Sequence, residues 1–436
     1  MLYIIRFLAV IFILVGIYAR IGQASTDTIT VMVYNLLYYG INTSFCTSTN
    51  NNVDKKDINL RKIISHTQPD IFAVNELGRG EHNADRILHE VLNYNSDRSQ
   101  PVTPEYSRAT YTNTRNTTIV NMLYYRDDLF GIHHEAVISN EVRDINMYTL
   151  YVKDEFLIQG DTTFLTCIVA HLKAGSSNAD QTTRLTEIQI AMAYISQNGP
   201  RGNLLFMGDF NMKSSYEQAY GLITYHPNEE IRFYDPIDKP GVWIDNPDMA
   251  LYHTQSTRKY PVGCFVSGGM DDRFDQILVS RDVLEGNKGI QYVVDSYRTL
   301  GQDGQRLDES LIDPPNYSEP EEIIQALYDT SDHLPVLLDL YIGGRSTYAS
   351  EPVSLPMLNL SNPVSNELRL SLSAEEGSYT IRVLSVYGTI VLSDQIYLHP
   401  QMRSFTYDVS FVPAGLYIIQ VIRGSELIET ERLLKY

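Results

Sequence analysis

Basic residues are scarce in this 436-residue chain. It has 34 lysines and arginines against 53 aspartates and glutamates, which gives a formal net charge of −19. This balance excludes a protein that binds nucleic acid through a broad basic surface. It does not exclude an enzyme that meets phosphate groups through a bound cation, because the cation reverses the local charge.

Cysteine is rare as well. The three cysteines are too few for a disulfide framework. Cys167 lies in an apolar, strand-like run and is expected to be a small core residue. Cys46 and Cys264 lie in polar surroundings rich in Gly and Ser and could pair in an oxidising compartment, but their spacing leaves this open.

Long hydrophobic runs are absent after the first 24 residues. Residues 7–17 form an apolar run of 11 residues, which is short of the roughly 20 that a membrane span needs. One positive charge precedes the run, and Gly22 and Ala24 supply the small residues of a cleavage site. Residues 1–24 are therefore expected to be a signal peptide, so that the mature protein begins near Ser25 outside the cytoplasm.

The composition is that of a globular protein, with 43% hydrophobic and 11% aromatic residues but a single tryptophan. The length predicts two domains. Hydrophobic periodicity predicts helices at residues 55–66, 84–92 and 180–197, the last capped by Asp180. It predicts strands at residues 28–35, 71–74, 122–125, 131–137, 147–152, 164–170, 203–207, 274–280 and 334–340, which indicates an α/β domain.

The pattern of apolar and polar residues changes after residue 342. Residues 343–356 contain a Gly-Gly pair and two prolines and are predicted to be a linker. Alternating apolar and polar residues then predict strands at 367–373, 378–387, 389–393 and 416–422, without a helical pattern. The segment 357–436 is therefore expected to be a small all-β sandwich.

Polar residues stand at the ends of the predicted strands. The set comprises Asn35, Glu76, His171, Asp209, Asn211, Asp275, Asp332 and His333. Each alone would be read as an ordinary turn or surface residue. Because buried strands would carry all of them to the edges of sheets, the set predicts a site rather than a series of turns.

The residue types of this set suit one kind of chemistry. Oxygen ligands without a cysteine cluster favour Mg²⁺, Mn²⁺ or Ca²⁺ over structural zinc, and two histidines beside carboxylates can move protons. Gly208 lets the chain turn after the strand at 203–207. If the extended form persists, Asp209 and Asn211 point to the same side and can hold a water and an anionic oxygen. No G-x-S-x-G, H-E-x-x-H or Walker sequence competes.

Six motifs resemble those of the endonuclease/exonuclease/phosphatase superfamily, in the same order, over residues 28–342. They are Val33-Tyr34-Asn35, Pro69-Asp70-Ile71-Phe72-Ala73-Val74-Asn75-Glu76, Ala170-His171-Leu172-Lys173, Gly208-Asp209-Phe210-Asn211, Phe274-Asp275-Gln276-Ile277-Leu278-Val279-Ser280 and Ser331-Asp332-His333. The resemblance implies a four-layer αββα sandwich of two sheets flanked by helices. It also implies hydrolysis of phosphate esters with a divalent cation, so that residues 25–342 would form the catalytic domain.

The resemblance assigns a role to each polar residue. Glu76 resembles the principal metal ligand, and Asn35 and Asp332 complete or support that cluster. Asp209 and Asn211 resemble the pair that positions the attacking water and a phosphate oxygen. His333, oriented by Asp275, resembles the histidine that contacts the phosphate and takes the proton of the water. His171 resembles the histidine that stabilises the pentacovalent phosphorus or protonates the leaving oxygen.

One position departs from the pattern of the pancreatic-type DNases in this superfamily. Those enzymes have a carboxylate just before the strand that corresponds to residues 122–125, where it partners the first histidine. This chain has Ile119, Val120 and Asn121 there. The partner of His171 is therefore left open.

The C-terminal module resembles the sorting domain of type IX secretion. The resemblance rests on Leu360-Ser361-Asn362-Pro363, Val386-Tyr387-Gly388-Thr389, Val412-Pro413-Ala414-Gly415-Leu416-Tyr417 and the basic ending Leu433-Leu434-Lys435-Tyr436. It implies contact with the secretion machinery and an enzyme that is released or attached to the cell surface. A carbohydrate-binding or adhesive β-sandwich is the alternative.

Three functions remain open. The sequence favours an extracellular nuclease, and a phosphatase or phospholipid phosphodiesterase with the same site is the alternative. A non-catalytic surface binding protein is disfavoured by the complete polar set. Arg79, Lys173 and Arg273 lie next to motifs and are candidate phosphate contacts. The acidic segment 303–322 would disfavour a long polyanion if it lines the cleft.

Overall fold

The structure is a computed structural model that describes residues 27–96, 104–153, 162–343, 358–360, 362–372, 377–385, 389–398, 404–423 and 426–436. The expected signal peptide and, apart from Gly343, the expected linker lie outside the described residues, as do the last residues of the predicted strands 367–373 and 378–387. None of the described helices is long and apolar enough to cross a membrane.

The described strands before residue 344 follow the apolar runs of the sequence. They are β1 (Asp27–Tyr39), β2 (Ile71–Gly78), β3 (Tyr106–Arg108), β4 (Ile119–Arg126), β5 (Phe130–Ser139), β6 (Ile145–Val152), β7 (Phe164–His171), β8 (Leu204–Asp209), β9 (Phe233–Tyr234), β10 (Asp275–Ser280), β11 (Ile290–Tyr292), β12 (Arg298–Thr299) and β13 (Val336–Ile342). Each strand that was predicted from periodicity is present, and several extend further toward their polar ends.

These strands form two sheets. The first has the order β11-β13-β1-β2-β4-β3, with β12 also paired to β13, and the second has the order β5-β6-β7-β8-β10-β9. Pairing is parallel between β1 and β2 and between β7 and β8, and antiparallel between the other neighbours. Each sheet therefore contains a parallel pair whose carboxyl ends emerge at one edge.

Helices cover the outer faces of the two sheets. They are α1 (Val53–Thr67), α2 (Glu81–Arg86), α3 (Asn178–Asn198), α4 (Gln218–Thr224), α5 (Arg281–Glu285) and α6 (Glu321–Thr330). One core joins α1 and α6 to the first sheet and the facing sides of both sheets, and a second core joins α3 and α4 to the second sheet. The result is the expected four-layer αββα sandwich.

Two helix boundaries differ from the prediction. Helix α3 is capped by Ser177 and not by Asp180, because the two residues form a capping box in which each side chain accepts from the backbone amide of the other. The predicted helix at 84–92 is split into α2 and a π-helical turn, Ile87–Leu92. Hydrophobic periodicity predicts the buried face of a helix. It does not predict the capping residue or a change from α-helical to π-helical hydrogen bonding.

Cys46 and Cys264 form a disulfide, with Cα atoms 4.9 Å apart across a sequence separation of 218. The pairing answers a question that the sequence left open. Cys167 is a free, buried thiol inside β7, as the sequence predicts.

The C-terminal region is all-β, as expected. Its strands are β14 (Leu358–Leu360), β15 (Glu367–Leu372), β16 (Gly377–Ser385), β17 (Ile390–Leu398), β18 (Ser404–Asp408), β19 (Gly415–Arg423) and β20 (Glu426–Lys435). They form a three-stranded sheet, β14-β15-β18, and a four-stranded sheet, β17-β16-β19-β20, around one apolar core. The alternation of apolar and polar residues in β14, β18 and β20 is too short or too irregular to predict these strands from the sequence.

Candidate active site

The carboxyl ends of the two parallel strand pairs bring four polar residues together. Asn35 and Glu76 come from β1 and β2, and His171 and Asp209 end β7 and β8. The Nδ2 atom of Asn35 donates to Glu76 Oε1 at 3.2 Å and to Asp209 Oδ2 at 3.0 Å. A single amide therefore ties a carboxylate of the first sheet to a carboxylate of the second.

Asn75 joins the two sheets by hydrogen bonds at the same point. Its Oδ1 accepts from the backbone amide of Asp209 at 3.0 Å. Its Nδ2 donates to Asn121 Oδ1 at 2.8 Å and to the carbonyl of Ala170 at 3.2 Å. Sequence reasoning missed this residue, although its place beside Glu76 in a buried strand was a usable signal.

The Gly208 to Asn211 segment is shaped differently from the sequence prediction. Gly208 remains inside β8, where a Cβ atom would lie only 1.8 Å from the carbonyl oxygen of Ala170 on the neighbouring strand. The turn comes at Asn211, whose φ is 52°. The extended form therefore does not persist: Asn211 N donates to Asp209 Oδ1 at 3.0 Å, and its Nδ2 donates to the carbonyl of Leu172 at 3.3 Å.

His333 is paired with a carboxylate. Asp275 faces Asp209 in the register of β10 and β8. His333 Nδ1 donates to Asp275 Oδ2 at 2.6 Å, and its Nε2 lies 3.9 Å from Asp209 Oδ2. Burial by itself would lower the pKa of His333, but the charges of Asp275, Asp209 and Asp332 raise the pKa well above its usual value.

Gln255 also contacts His333, a contact that no pattern in the sequence indicates. Its Nε2 lies 2.7 Å from His333 Nε2. Gln255 belongs to the irregular segment between α4 and β10, where no periodic pattern singles out a residue. Tertiary contact alone places it in the site.

His171 lacks such a partner. Its Nε2 lies 3.5 Å from Asp209 Oδ2 and 3.9 Å from Glu76 Oε1, while its Nδ1 is buried without a hydrogen bond. Asn121 is not its partner, because its Oδ1 accepts from Asn75 Nδ2 and its amide donates to the carbonyls of Asp144 and Val169. Burial, and then the charges of Arg143 and His333, lower the pKa of His171 well below its usual value, so the ring is neutral at neutral pH.

Arg143 is a further residue that sequence reasoning missed. Its Nε and Nη2 donate to the carbonyls of His171 and Leu172 at 3.0 and 2.6 Å. Its charge lowers the pKa values of both His171 and Glu76, which places the guanidinium beside the site. It stands in a polar turn between β5 and β6, which looked like any solvent-exposed connection.

The carboxylates of the site fit a divalent cation. Burial, followed by the charge of Asp332, raises the pKa of Glu76, and burial raises the pKa of Asp209. The buried Oδ1 atoms of Asp332 and Asp275 have no hydrogen-bond partner. Buried, mutually repelling oxygen ligands of this type are what Mg²⁺, Mn²⁺ and Ca²⁺ coordinate. Ligand atoms of Glu76, Asp209 and His171 lie within 4.8 Å of one another, so the two carboxylates, with Asn35 between them, could hold such an ion. Asp332 stays a predicted supporting ligand.

The predicted polar set is thus brought together, but the predicted basic contacts are not. Arg273 is fully buried in a bidentate ion pair with Asp235, which removes it from any substrate surface. Lys173 Nζ pairs with Asp180 at 2.8 Å at the start of α3. Arg79 is exposed just after Glu76 and remains a candidate.

Two stretches of the chain match known families. Residues 32–333 match the Endonuclease/Exonuclease/phosphatase family, and residues 361–435 match the secretion system C-terminal sorting domain. The first match spans most of the chain and all eight polar residues of the site. The chain therefore belongs to the endonuclease/exonuclease/phosphatase family, and it carries a secretion sorting domain at its C-terminal end.

Solved structures of similar proteins are distant in sequence. An endonuclease/exonuclease/phosphatase family protein from Bacteroides thetaiotaomicron is 14% identical, with 73% of this chain and 98% of that chain covered and a TM-score of 0.45. A mannosyl-6-phosphatase from the same organism is 14% identical, with coverage of 72% and 99% and a TM-score of 0.44. An endonuclease/exonuclease/phosphatase from Beutenbergia cavernae is 13% identical, with coverage of 93% and 99% and a TM-score of 0.42. No curated protein matched the chain.

Proposed function

We propose that this chain is a secreted, divalent-metal-dependent phosphoesterase that hydrolyses phosphodiester bonds by in-line attack of water. One observation carries the proposal: two buried histidines, one paired with Asp275 and the other with its Nδ1 unpartnered, flank the carboxylates of Glu76 and Asp209. A bound cation would neutralise charge on the phosphoryl oxygens. Mg²⁺, Mn²⁺ and Ca²⁺ all suit the ligands.

The residues around Asp209 would position the attacking water. Asn35 and Asn75 fix Asp209, and Asn211 turns back onto its Oδ1. Because burial raises the pKa of Asp209, this carboxylate can hold a water and accept its proton near neutral pH. Asn211 would then contribute its side chain to a phosphate oxygen.

The two histidines would contact different oxygens of the phosphate ester. His333, oriented by Asp275 and with a raised pKa, would donate to a phosphate oxygen. The neutral His171 would offer one N–H to the pentacovalent phosphorus group or to the leaving oxygen. Both rings lie within 4 Å of Asp209 Oδ2, so one phosphoryl group can meet both.

Nucleic acid is the first substrate that we propose, in keeping with a family that includes endonucleases and exonucleases. A small or lipid phosphate ester is the second candidate, and one observation favours it. Carboxylate oxygens of Asp245, Asp271 and Asp308 lie within 4.8 Å of one another. Asp271 adjoins Asp272, whose pKa burial raises to about 6 while the charges of Lys213 and His333 lower it. An acidic rim of this kind on the His333 side would repel a long polyanion.

Export completes the proposal. We propose that residues 1–24 are removed as a signal peptide, that residues 25–342 form the catalytic domain, and that residues 357–436 engage the type IX secretion machinery. The match of residues 361–435 to a sorting domain supports this, and the product would be released or held at the cell surface.

A substrate panel tests the proposal. Purified protein is given DNA, RNA, an aryl phosphodiester, an aryl phosphomonoester and sphingomyelin, each with Mg²⁺ and with a chelator. We expect hydrolysis of DNA or RNA and of the aryl phosphodiester, with Mg²⁺ only. Preference for the phosphomonoester or for sphingomyelin would replace the nuclease by the second candidate. Failure on every ester would contradict the proposed function.

A further inference from the structure

Two backbone amides hold the candidate metal ligands in place. The amide of Tyr38 donates to Glu76 Oε2 at 3.1 Å. The amide of Val266 donates to Asp332 Oδ2 at 2.9 Å, which leaves the buried Oδ1 of Asp332 without a protein partner. Each amide therefore fixes the rotation of a carboxylate and leaves its other oxygen directed elsewhere.

The two amides belong to segments that are far apart in sequence and joined by the disulfide. Cys264 precedes Val266 by two residues, and Cys46 lies in the loop that follows β1. Leu37, Cys46 and Cys264 form a small buried cluster against which Tyr38 and Phe265 pack. The covalent link thus runs directly between the segment that holds Glu76 and the segment that holds Asp332.

The Leu37–Tyr38 segment is strained and needs support. Both residues have left-handed backbones, with φ values of 47° and 51°, a conformation that large side chains avoid. The Asn51 amide donates to the carbonyls of Leu37 and Tyr38 at 3.0 and 3.2 Å. The buried amine of Lys56 donates to the carbonyl of Leu37 at 2.6 Å. This side of the disulfide is therefore firmly anchored.

The segment on the other side is less enclosed. Val262 and Val266 are each about half exposed, and a single bridge, from Val262 to Phe265, shapes the turn that contains Cys264. The Ser256 hydroxyl donates to the carbonyl of Val266 at 2.5 Å. Apart from this bond, the contact of the Val266 amide with Asp332 and the stacking of Arg258 on Phe265, the disulfide is the covalent bond that ties this turn to the loop after β1.

We infer that the Cys46–Cys264 disulfide is a positioning element of the metal centre. It holds the amides of Tyr38 and Val266 at the separation that turns Glu76 and Asp332 toward one cation. Loss of groups that orient metal ligands typically weakens binding about 10–100-fold. The inference rests on the proposed metal dependence and adds to it a requirement for an oxidised cysteine pair.

Metal affinity tests the inference independently of activity. The probe is Mn²⁺ alone, titrated calorimetrically into the full chain at a temperature at which circular dichroism shows every variant to be folded. We expect Cys46→Ser/Cys264→Ser to bind Mn²⁺ about tenfold or more weakly than the wild type. Cys167→Ser, which alters a buried thiol in β7, is the matched control and should bind as the wild type does.

A second variant keeps the test decisive if the double variant does not fold. Val266→Pro removes the N–H that donates to Asp332 at a half-exposed position, restricts the backbone of residues 265 and 266, and should also weaken Mn²⁺ binding. Unchanged affinity in either folded variant, while Glu76→Gln binds weakly, would overturn the inference and leave the metal site standing. Absence of Mn²⁺ binding by the wild type would overturn the metal dependence and the inference together.

Discussion

The two histidines of the site occupy opposite electrostatic environments. His333 donates to Asp275 and carries a raised pKa, whereas His171 has a buried, unpartnered Nδ1 and a lowered pKa. Both rings lie beside the same oxygen of Asp209. One residue type thus lies in two different environments, one that raises its pKa and one that lowers it, and the difference comes from neighbouring groups.

The largest expected effect comes from removing the carboxylate that raises the pKa of His333. Asp275→Asn should lower the pKa of His333 and reduce turnover of an aryl phosphodiester by about 10²–10⁴-fold, as for loss of a proton-transfer or charge-stabilising group. Nuclear magnetic resonance titration of the imidazole and steady-state kinetics measure the two effects. Asp271→Asn is the control at a nearby carboxylate and should keep near-normal turnover. Normal turnover in Asp275→Asn would remove the functional distinction between the histidines.

The next effect lies on the His171 side and concerns stability. Glu187 accepts from the amide of Lys173 at 2.9 Å, its Oε1 is buried without a partner, and burial raises its pKa to about 7. Because the pKa of Glu187 is higher in the folded state than in the unfolded state, ionisation of its carboxyl destabilises the fold. This free-energy cost is absent below about pH 4.5 and complete above about pH 7. The group should cost up to about 3 kcal/mol of unfolding free energy at pH 8 relative to pH 4.5.

Glu187→Gln checks this cost. The variant should lose that part of the pH dependence, and urea unfolding at pH 5 and pH 8 measures it. The amide oxygen can still accept from Lys173, so the hydrogen bond is retained. Equal pH dependence in wild type and variant would show that Glu187 does not carry the charge cost.

The smallest effect tests what keeps His171 neutral. Arg143→Gln removes a charge that lowers the pKa of His171, so that pKa should rise. Turnover should fall by less than about tenfold, as expected for one partly exposed charge. Arg143→Lys keeps the charge and should keep the lowered pKa. An unchanged titration of His171 in Arg143→Gln would assign its lowered pKa to burial and the charge of His333.

The sequence predicted the scaffold and the polar set because both follow from local patterns. Buried strands are marked by apolar runs, and Glu76 or Asp209 stand where those runs end. The bend at Asn211, the contact of Gln255 with His333 and the disulfide depend on segments that meet only in the folded chain. Arg273 shows the converse, because its place beside a motif suggested a surface role and tertiary packing buried it.

The environment of His171 was only partly predictable from the sequence. The sequence showed that Asn121 replaces the expected carboxylate, and the structure adds that the Asn121 amide is engaged by carbonyls. A missing partner can be noticed in a sequence, but the consequence for charge requires burial and the position of Arg143. Both are tertiary properties.

The central claim is that the carboxylate cluster holds a catalytic cation. The most direct measurement is turnover of an aryl phosphodiester by wild type and Glu76→Ala, each with Mg²⁺ and with chelator, alongside circular dichroism. We predict turnover by the wild type with Mg²⁺ only, and its loss in a folded Glu76→Ala. Turnover by the wild type in chelator, or full turnover by Glu76→Ala, would contradict the claim.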